Sequence, residues 1–261
     1  MNELPTLNLD VATTARVYDD LFRGKDNYDV DRELAAGLRE RCPQLPAILH
    51  RANQFVREAV ARLVDEGITQ FVDVGTGYPR EPFLHAEILA WAPQARIVYL
   101  DNDLLVGAHT RALMLPCEAV SFVWADITDT AGLGAPNKLG EFLDLSKPVA
   151  LVAESVLEFL PGAAEVLAAM AELLAPGSRL VISHLASDLC PEVGLLREVF
   201  SQAGIELYPR DRDELAEMLT GYTLTDPGIM PLHEWAARAE QFSQLPRQQP
   251  PGCYGVIAEV R

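Results

Sequence analysis

From residue 70 onward the chain alternates short apolar runs with helical stretches, and that alternation admits few folds. The runs Gln70 to Val74, Arg96 to Leu100, Ala119 to Ala125, Pro148 to Ala153 and Arg179 to His184 are close to continuously apolar. A strand of this kind has both faces covered, as in a parallel sheet with helices on either side. Helical periodicity fills the intervals at Glu81 to Trp91, Leu104 to Leu115, Thr130 to Leu143 and Ala163 to Leu174, and continues at Leu195 to Ala203 and Asp213 to Leu219. Tyr222 to Thr225 and Tyr254 to Val260 read as two further strands. The expectation is an α/β chain with a mostly parallel, seven-stranded, Rossmann-like sheet.

The N-terminal part is different in kind. Val11 to Leu21 and Arg32 to Arg41 read as short amphipathic helices around the polar turn Arg23 to Asn27, and a longer helix from Ala47 to Asp65 carries an apolar stripe through Phe55, Val56, Ala59, Val60 and Leu63. Residues 1–66 are thus expected to form a helical extension and 67–261 the sheet-containing domain. Gln244 to Gly252, rich in Pro and Gln, reads as a surface loop.

Charge narrows the partners. Thirty-eight acidic against 21 basic residues give a formal charge of −17, which repels phosphate backbones and anionic membranes, so a nucleic-acid or membrane partner is not expected and a small-molecule substrate is. The four cysteines are scattered without a CxxC pair or metal-ligand spacing, and no metal site is expected. No apolar run approaches the roughly 20 residues needed to cross a bilayer, and the first residues lack the layout of a secretory signal, so a cytoplasmic location is expected. The sequence is silent on oligomeric state.

Phe71 to Pro79 places an apolar strand before a turn with Gly75 and Gly77 two apart, Thr76 between them and Asp73 just before. Glycine there lets the backbone approach a ligand lying beyond the carboxyl end of the strand. Asp101 ends the next strand, followed by Asn102, where a carboxylate can accept hydrogen bonds from both ribose hydroxyls. The spacing suits any nucleoside-bearing cofactor, but a dinucleotide fingerprint needs a third glycine where this chain has Arg80, and no P-loop is present. Asp126 and Ile127 close the third strand, an acid for the adenine amino group and an apolar wall for the ring, or else a helix cap before Thr128.

Together with Arg16 to Leu21 and Gly24 to Tyr28, these residues resemble a bacterial family of methyltransferase-like proteins long catalogued as a domain of unknown function. Its members read R-V-Y-D-x-L-x-G-G-K-D-N-[FY], then D-[IV]-G-T-G-x-P, then [YV]-V-D-N-D-P, then a strand followed by S-H. Here these appear as Arg16 to Tyr28, Asp73 to Pro79, Tyr99 to Asp103 and Ser183-His184, with Arg23 and Leu104 as departures. The resemblance covers nearly the whole chain and implies the class I methyltransferase fold with S-adenosylmethionine as cofactor. It also implies that Tyr18, Lys25 and Asn27 belong to a lid over that cofactor, where a tyrosine face can meet a sulfonium.

Three residues are candidates for chemistry: His184 and Glu154, at the ends of the fifth and fourth strands, and Glu158, four residues after Glu154; the alternatives are a hydrogen-bonded structural histidine at 184, a cofactor contact or helix cap at Glu154, and a solvent-facing Glu158. If Ser155 opens a helical turn, the two glutamates share a face toward the mouth of the sheet and can raise one another's pKa. Relatives usually carry no carboxylate at either position, which leaves three classes of function open: methylation of a small metabolite on O or N, a non-methylating reaction such as cyclisation, elimination or rearrangement, and a regulatory protein that binds the cofactor without catalysis. The acceptor pocket is expected between the N-terminal helices and the loops Ser187 to Val193 and Thr225 to Trp235.

Overall fold

The computed structural model describes residues 7–114, 116–133, 138–235 and 250–261. Helices α1 (Thr14–Leu21), α2 (Asp29–Arg41) and α3 (Leu45–Asp65) precede the alternating part. There follow β1 (Gln70–Val74), α4 (Leu84–Trp91), β2 (Arg96–Asp101), α5 (Leu104–Leu113), β3 (Val120–Trp124), α6 (Thr130–Leu133) and β4 (Ala150–Glu154). The chain continues through α7 (Ala163–Ala171), β5 (Arg179–Leu185), α8 (Pro191–Gln202), α9 (Arg212–Met218), β6 (Thr223–Leu224), β7 (Met230–Pro231) and β8 (Cys253–Glu259).

The sheet runs β3-β2-β1-β4-β5-β8-β6, with β7 also on β8. The first five strands pair in parallel and β8 lies antiparallel to β5. Eight strands replace the expected seven because Met230 and Pro231 add a two-residue pairing to β8, too short for periodicity to signal. Strand residues alternate between two apolar layers: Phe71, Ile97, Val152 and Val181 face α3 and α8, whereas Val72, Val98, Leu151 and Leu180 face α7 and α9. That double covering is why the strands read as continuously apolar.

The helix expected over Thr130 to Leu143 is shorter. It ends at Leu133, residues 134–137 lie outside the described set, and no helix follows before β4. Of the expected Gln244 to Gly252 loop, 244–249 also lie outside it. No described helix is long and apolar enough to cross a membrane.

The N-terminal helices share the core of the sheet: Phe55, Val56, Val60 and Leu63 of α3 pack in one cluster with Phe71, Val152 and Ile257. A buried ion pair joins α1 to α2. Arg16 Nε lies 3.0 Å from the Asp31 carboxylate, with the two side chains 1% and 0% exposed. Asp31 also accepts the backbone N–H groups of Thr13 and Tyr28, and Arg16 donates to the Val11 carbonyl. Asp31→Ala would leave the guanidinium buried without its counter-charge, a change that costs about 3 to 5 kcal/mol. The expected outcome is a loss of that size in chemical denaturation, with faster amide exchange in α1 and α2.

Candidate functional site

A cavity of about 550 Å³ opens beyond the carboxyl ends of β1 to β4. It lies where the sheet's connections diverge, from β1 toward β2 on one side and β4 on the other, the usual ligand position in an open parallel sheet. Its floor is the turn after β1. Gly75 and Gly77 both have φ near +61°, in the left-handed region. A methyl group added at Gly75 would fall 2.5 Å from Val156 Cγ2, whereas one added at Gly77 would meet nothing within 4 Å. The first glycine is required by the wall behind it, and the second leaves open the space a ligand would fill.

Asp101 ties this turn to β2. Its Oδ2 accepts the Gly77 N–H at 2.9 Å and its Oδ1 the Asp103 N–H at 2.9 Å. Burial pushes its pKa up to about 6, against the opposing effect of those two amides. Each oxygen retains a lone pair, which is what a vicinal diol needs. Asn102 donates to Asp126 Oδ2 at 3.1 Å, Asp126 Oδ1 accepts the backbone and hydroxyl of Thr128, and buried Ile127 lines the same end. Asp126 is not the helix cap, since Asp129 accepts the Gly132 N–H at the start of α6; it makes a local turn with Thr128 and lines the cavity.

At the other end, over β1 and β4, Asp73 and Glu154 face the same space. Burial, reinforced by the charge of Glu154, raises Asp73 to about 7, although Thr76 Oγ1 donates to it at 3.1 Å. Glu154 accepts from Asn53 Nδ2 at 2.9 Å and pairs with Arg80 at 3.4 Å. Thr13, Tyr18 and Phe22 from the α1 segment and Asn53 and Arg57 from α3 roof the cavity. Thr13 Oγ1 reaches across to Asp103 at 3.1 Å. Tyr18 presents its ring to the cavity while its hydroxyl is buried without a hydrogen-bond partner.

Several expected site residues lie elsewhere. Lys25 is exposed and does not line the cavity. Asn27 is a brace for the α1–α2 turn, donating to Asp19 at 2.7 Å and accepting from Arg32 at 2.9 Å. His184 is fully buried off the cavity. Its Nδ1 lies 2.8 Å from the Leu185 carbonyl, which makes it the protonated nitrogen, and its Nε2 accepts from Arg210 at 2.9 Å. Burial lowers its pKa to about 3, so it stays neutral with both nitrogens occupied and cannot take a proton from an acceptor.

Glu158 also departs from expectation. Ser155 adopts φ 51° and Leu157–Phe159 form a 3-10 turn, so the four-residue helical spacing never develops and the two glutamates do not share a face. The Glu158 carboxyl is 0% exposed and lines no part of the cavity. The loops Ser187 to Val193 and Thr225 to Trp235 do not line the cavity either. Arg51 holds the second through the carbonyls of Leu232 (2.9 Å) and Trp235 (2.8 Å), and Asp188 in the first accepts from Tyr254 at 2.8 Å.

Conversely, the sequence reading passed over Asn53, Arg57 and Arg80. The first two interrupt the apolar pattern of α3 four residues apart, a signal available to periodicity, whereas Arg80 registered only as a missing glycine. Among the described residues no group of three or more His, Cys, Asp or Glu could hold a metal.

A family model described as S-adenosyl methyltransferase matches residues 2–261. The structure is similar to that of a DUF574 family protein of Streptomyces avermitilis MA-4680, with 31% identity, 97% of this chain and 100% of that one covered, and a TM-score of 0.89. It is also similar to a candidate methyltransferase of Thermobifida fusca YX, at 28% identity, 98% coverage of both chains and TM-score 0.88. The Burkholderia thailandensis 1,6-didemethyltoxoflavin-N1-methyltransferase, whose structure holds S-adenosylhomocysteine, has the same fold at 19% identity, covering 79% of this chain and 78% of that one, with TM-score 0.50. No curated protein matches the chain.

The family's cofactor is S-adenosylmethionine, and the residues lining this cavity fit it: an open glycine at the turn, a buried carboxylate at Asp101 that could accept from a diol, and Ile127 that could serve as an apolar wall. Asp101→Ala is expected to weaken binding of S-adenosylhomocysteine by about 1.5 to 3 kcal/mol, the range for hydrogen bonds to a charged group, with the fold intact. Calorimetric titration checks it, and unchanged affinity would remove Asp101 from the site.

Glu158 generates a different expectation. Burial raises its pKa from 4.5 to about 8, so between those values the folded chain holds a proton that the unfolded chain has lost. Stability from this group is complete below pH 4.5 and declines as pH rises through 8, by at most about 1.4 kcal/mol per pH unit for one proton. Glu158→Gln cannot ionise and should lose less melting temperature than the parent between pH 5 and pH 8.5. Equal losses in both proteins would mean that Glu158 is ionised in the fold.

Proposed function

Because the chain belongs to the S-adenosyl methyltransferase family, we propose that it methylates a small metabolite on oxygen or nitrogen, with Glu154 receiving the acceptor's proton. The observation that carries this reading is the position of Glu154. Its carboxylate lines the end of the cavity away from Asp101, beneath a roof of α1 and α3 side chains. S-adenosylmethionine, when bound, supplies a methyl on a sulfonium leaving group.

What the chain's own residues contribute is position and proton handling. In-line displacement is sensitive to geometry, and the turn and Asp101 fix the nucleoside end so that the acceptor need only be oriented at the other. Asn53, donating to Glu154 at 2.9 Å, holds the carboxylate against rotation. A hydroxyl or N–H acceptor that donates to Glu154 is thereby aimed, and the same oxygen takes the proton as the new bond forms. The overall charge of −17 supports a small-molecule acceptor over nucleic acid. The non-methylating alternative leaned on Glu154 and Glu158 acting together, and with Glu158 away from the cavity it loses half of its support.

The test is transfer of label from methyl-labelled S-adenosylmethionine to a panel of phenols, hydroxy acids, amines and nitrogen heterocycles. On an accepted substrate, Glu154→Gln should lower turnover by about 10²-fold or more while changing cofactor affinity little. Wild-type turnover in that variant would remove Glu154 from the chemistry. Cofactor binding with no labelled product from any acceptor would favour the non-catalytic class.

A further inference from the structure

We propose that Arg80 binds the carboxylate of the cofactor's amino-acid end. The nucleoside side of the cavity is set by Asp101 on β2 and by Asp126 and Ile127 after β3, so the remaining part of the cofactor runs the other way, over the ends of β1 and β4. That end is rich in carboxylates, with Asp73 and Glu154 facing it, and an anionic group entering it requires a cation.

Only two cationic side chains line the cavity among the described residues, Arg57 and Arg80. Arg57 is fully engaged: Nε donates to Asn53 Oδ1 at 3.0 Å, one terminal nitrogen pairs with Glu87, and the other donates to the Pro82 carbonyl at 2.8 Å. Arg80 has a single polar partner, Glu154, at a long 3.4 Å. Its guanidinium carbon lies over the Phe22 ring, 3.8 Å from the centroid. Stacking of this kind occupies the face of a guanidinium and leaves its N–H groups, which lie in the plane, free at the edge. An edge with two adjacent donors is the partner a carboxylate accepts bidentately.

This assignment also gives the roof a reason to close. Phe22 follows the last turn of α1, and Arg80 follows the cofactor turn, so the stack joins lid to floor at the point where the carboxylate would sit. A lysine at position 80 would keep the charge and lose both the stack and the fork.

The experiment compares two ligands by calorimetry: S-adenosylhomocysteine, which carries the amino-acid end, and 5′-methylthioadenosine, which shares the nucleoside and lacks it. Arg80→Met is expected to weaken S-adenosylhomocysteine by about 10- to 100-fold and to leave methylthioadenosine within about twofold, with Arg80→Lys between parent and Arg80→Met for the first ligand. Binding of methylthioadenosine serves as the control that the variant folds. Unchanged S-adenosylhomocysteine affinity, or equal losses for both ligands, would overturn the assignment.

Discussion

One hydrogen bond holds the site in register: the Gly77 N–H to the carboxylate of Asp101, 2.9 Å. It joins the turn after β1 to the end of β2, two strands already paired in parallel from Gln70 with Arg96 to Val74 with Leu100. The bond requires Gly77 to hold its amide toward β2, a left-handed backbone at φ 61°, and it requires Asp101 to lie where the pairing ends. The floor of the cavity between β1 and β2 is placed from there. Thr76 reaches back to Asp73, the next residues lead Arg80 across to Glu154, and Asp103 caps α5 while accepting Thr13 from the roof.

The roof depends on a different kind of interaction. α1 and α2 are short, and short helices are marginal in water unless packing holds them. Here packing is supplemented by Arg16 and Asp31, buried as a pair whose other valences are taken by backbone groups of residues 11, 13 and 28. Asp19 and Asn27 brace the turn between the helices in the same way. Asn27, expected in the lid over the cofactor, therefore holds the lid's shape and does not line the cavity. Tyr18 and Phe22 present rings to the cavity on that scaffold.

What the sequence made legible is local chemistry with a short period. β1 falls on Gln70–Val74 as expected, and Asp101 lies at its strand end, because strand burial and the glycine turn are set by a few consecutive residues. The expectations that the structure overturns depended on backbone angles or distant partners. Glu154 and Glu158 are four apart in a sequence that looks helical, and a single left-handed residue at Ser155 undoes that reading. His184 ends a strand, as catalytic histidines do, yet Arg210, 26 positions on, occupies its Nε2. The Thr225 to Trp235 loop is drawn from the cavity by Arg51, over 180 residues earlier, and no periodicity reports such a pairing.

The charge of the cavity bears on how methyl transfer can be fast. Asp73, Asp101, Asp103, Asp126 and Glu154 all line it, and a sulfonium is well matched to such a field. That match is strongest before transfer, because the positive charge on sulfur is dispersed as the methyl leaves. Uniform anionic surroundings would therefore favour the bound cofactor more than the transition state and would oppose the reaction. Burial moderates this, raising Asp73 to about 7 and Asp101 to about 6. At the other end of the cavity Glu154 is oriented by Asn53, which donates to it at 2.9 Å. On the proposed reading, Glu154 would take the acceptor's proton, and the negative charge it would lose offsets the positive charge that a sulfonium donor gives up. The field then changes little along the reaction, and geometry is left to set the rate.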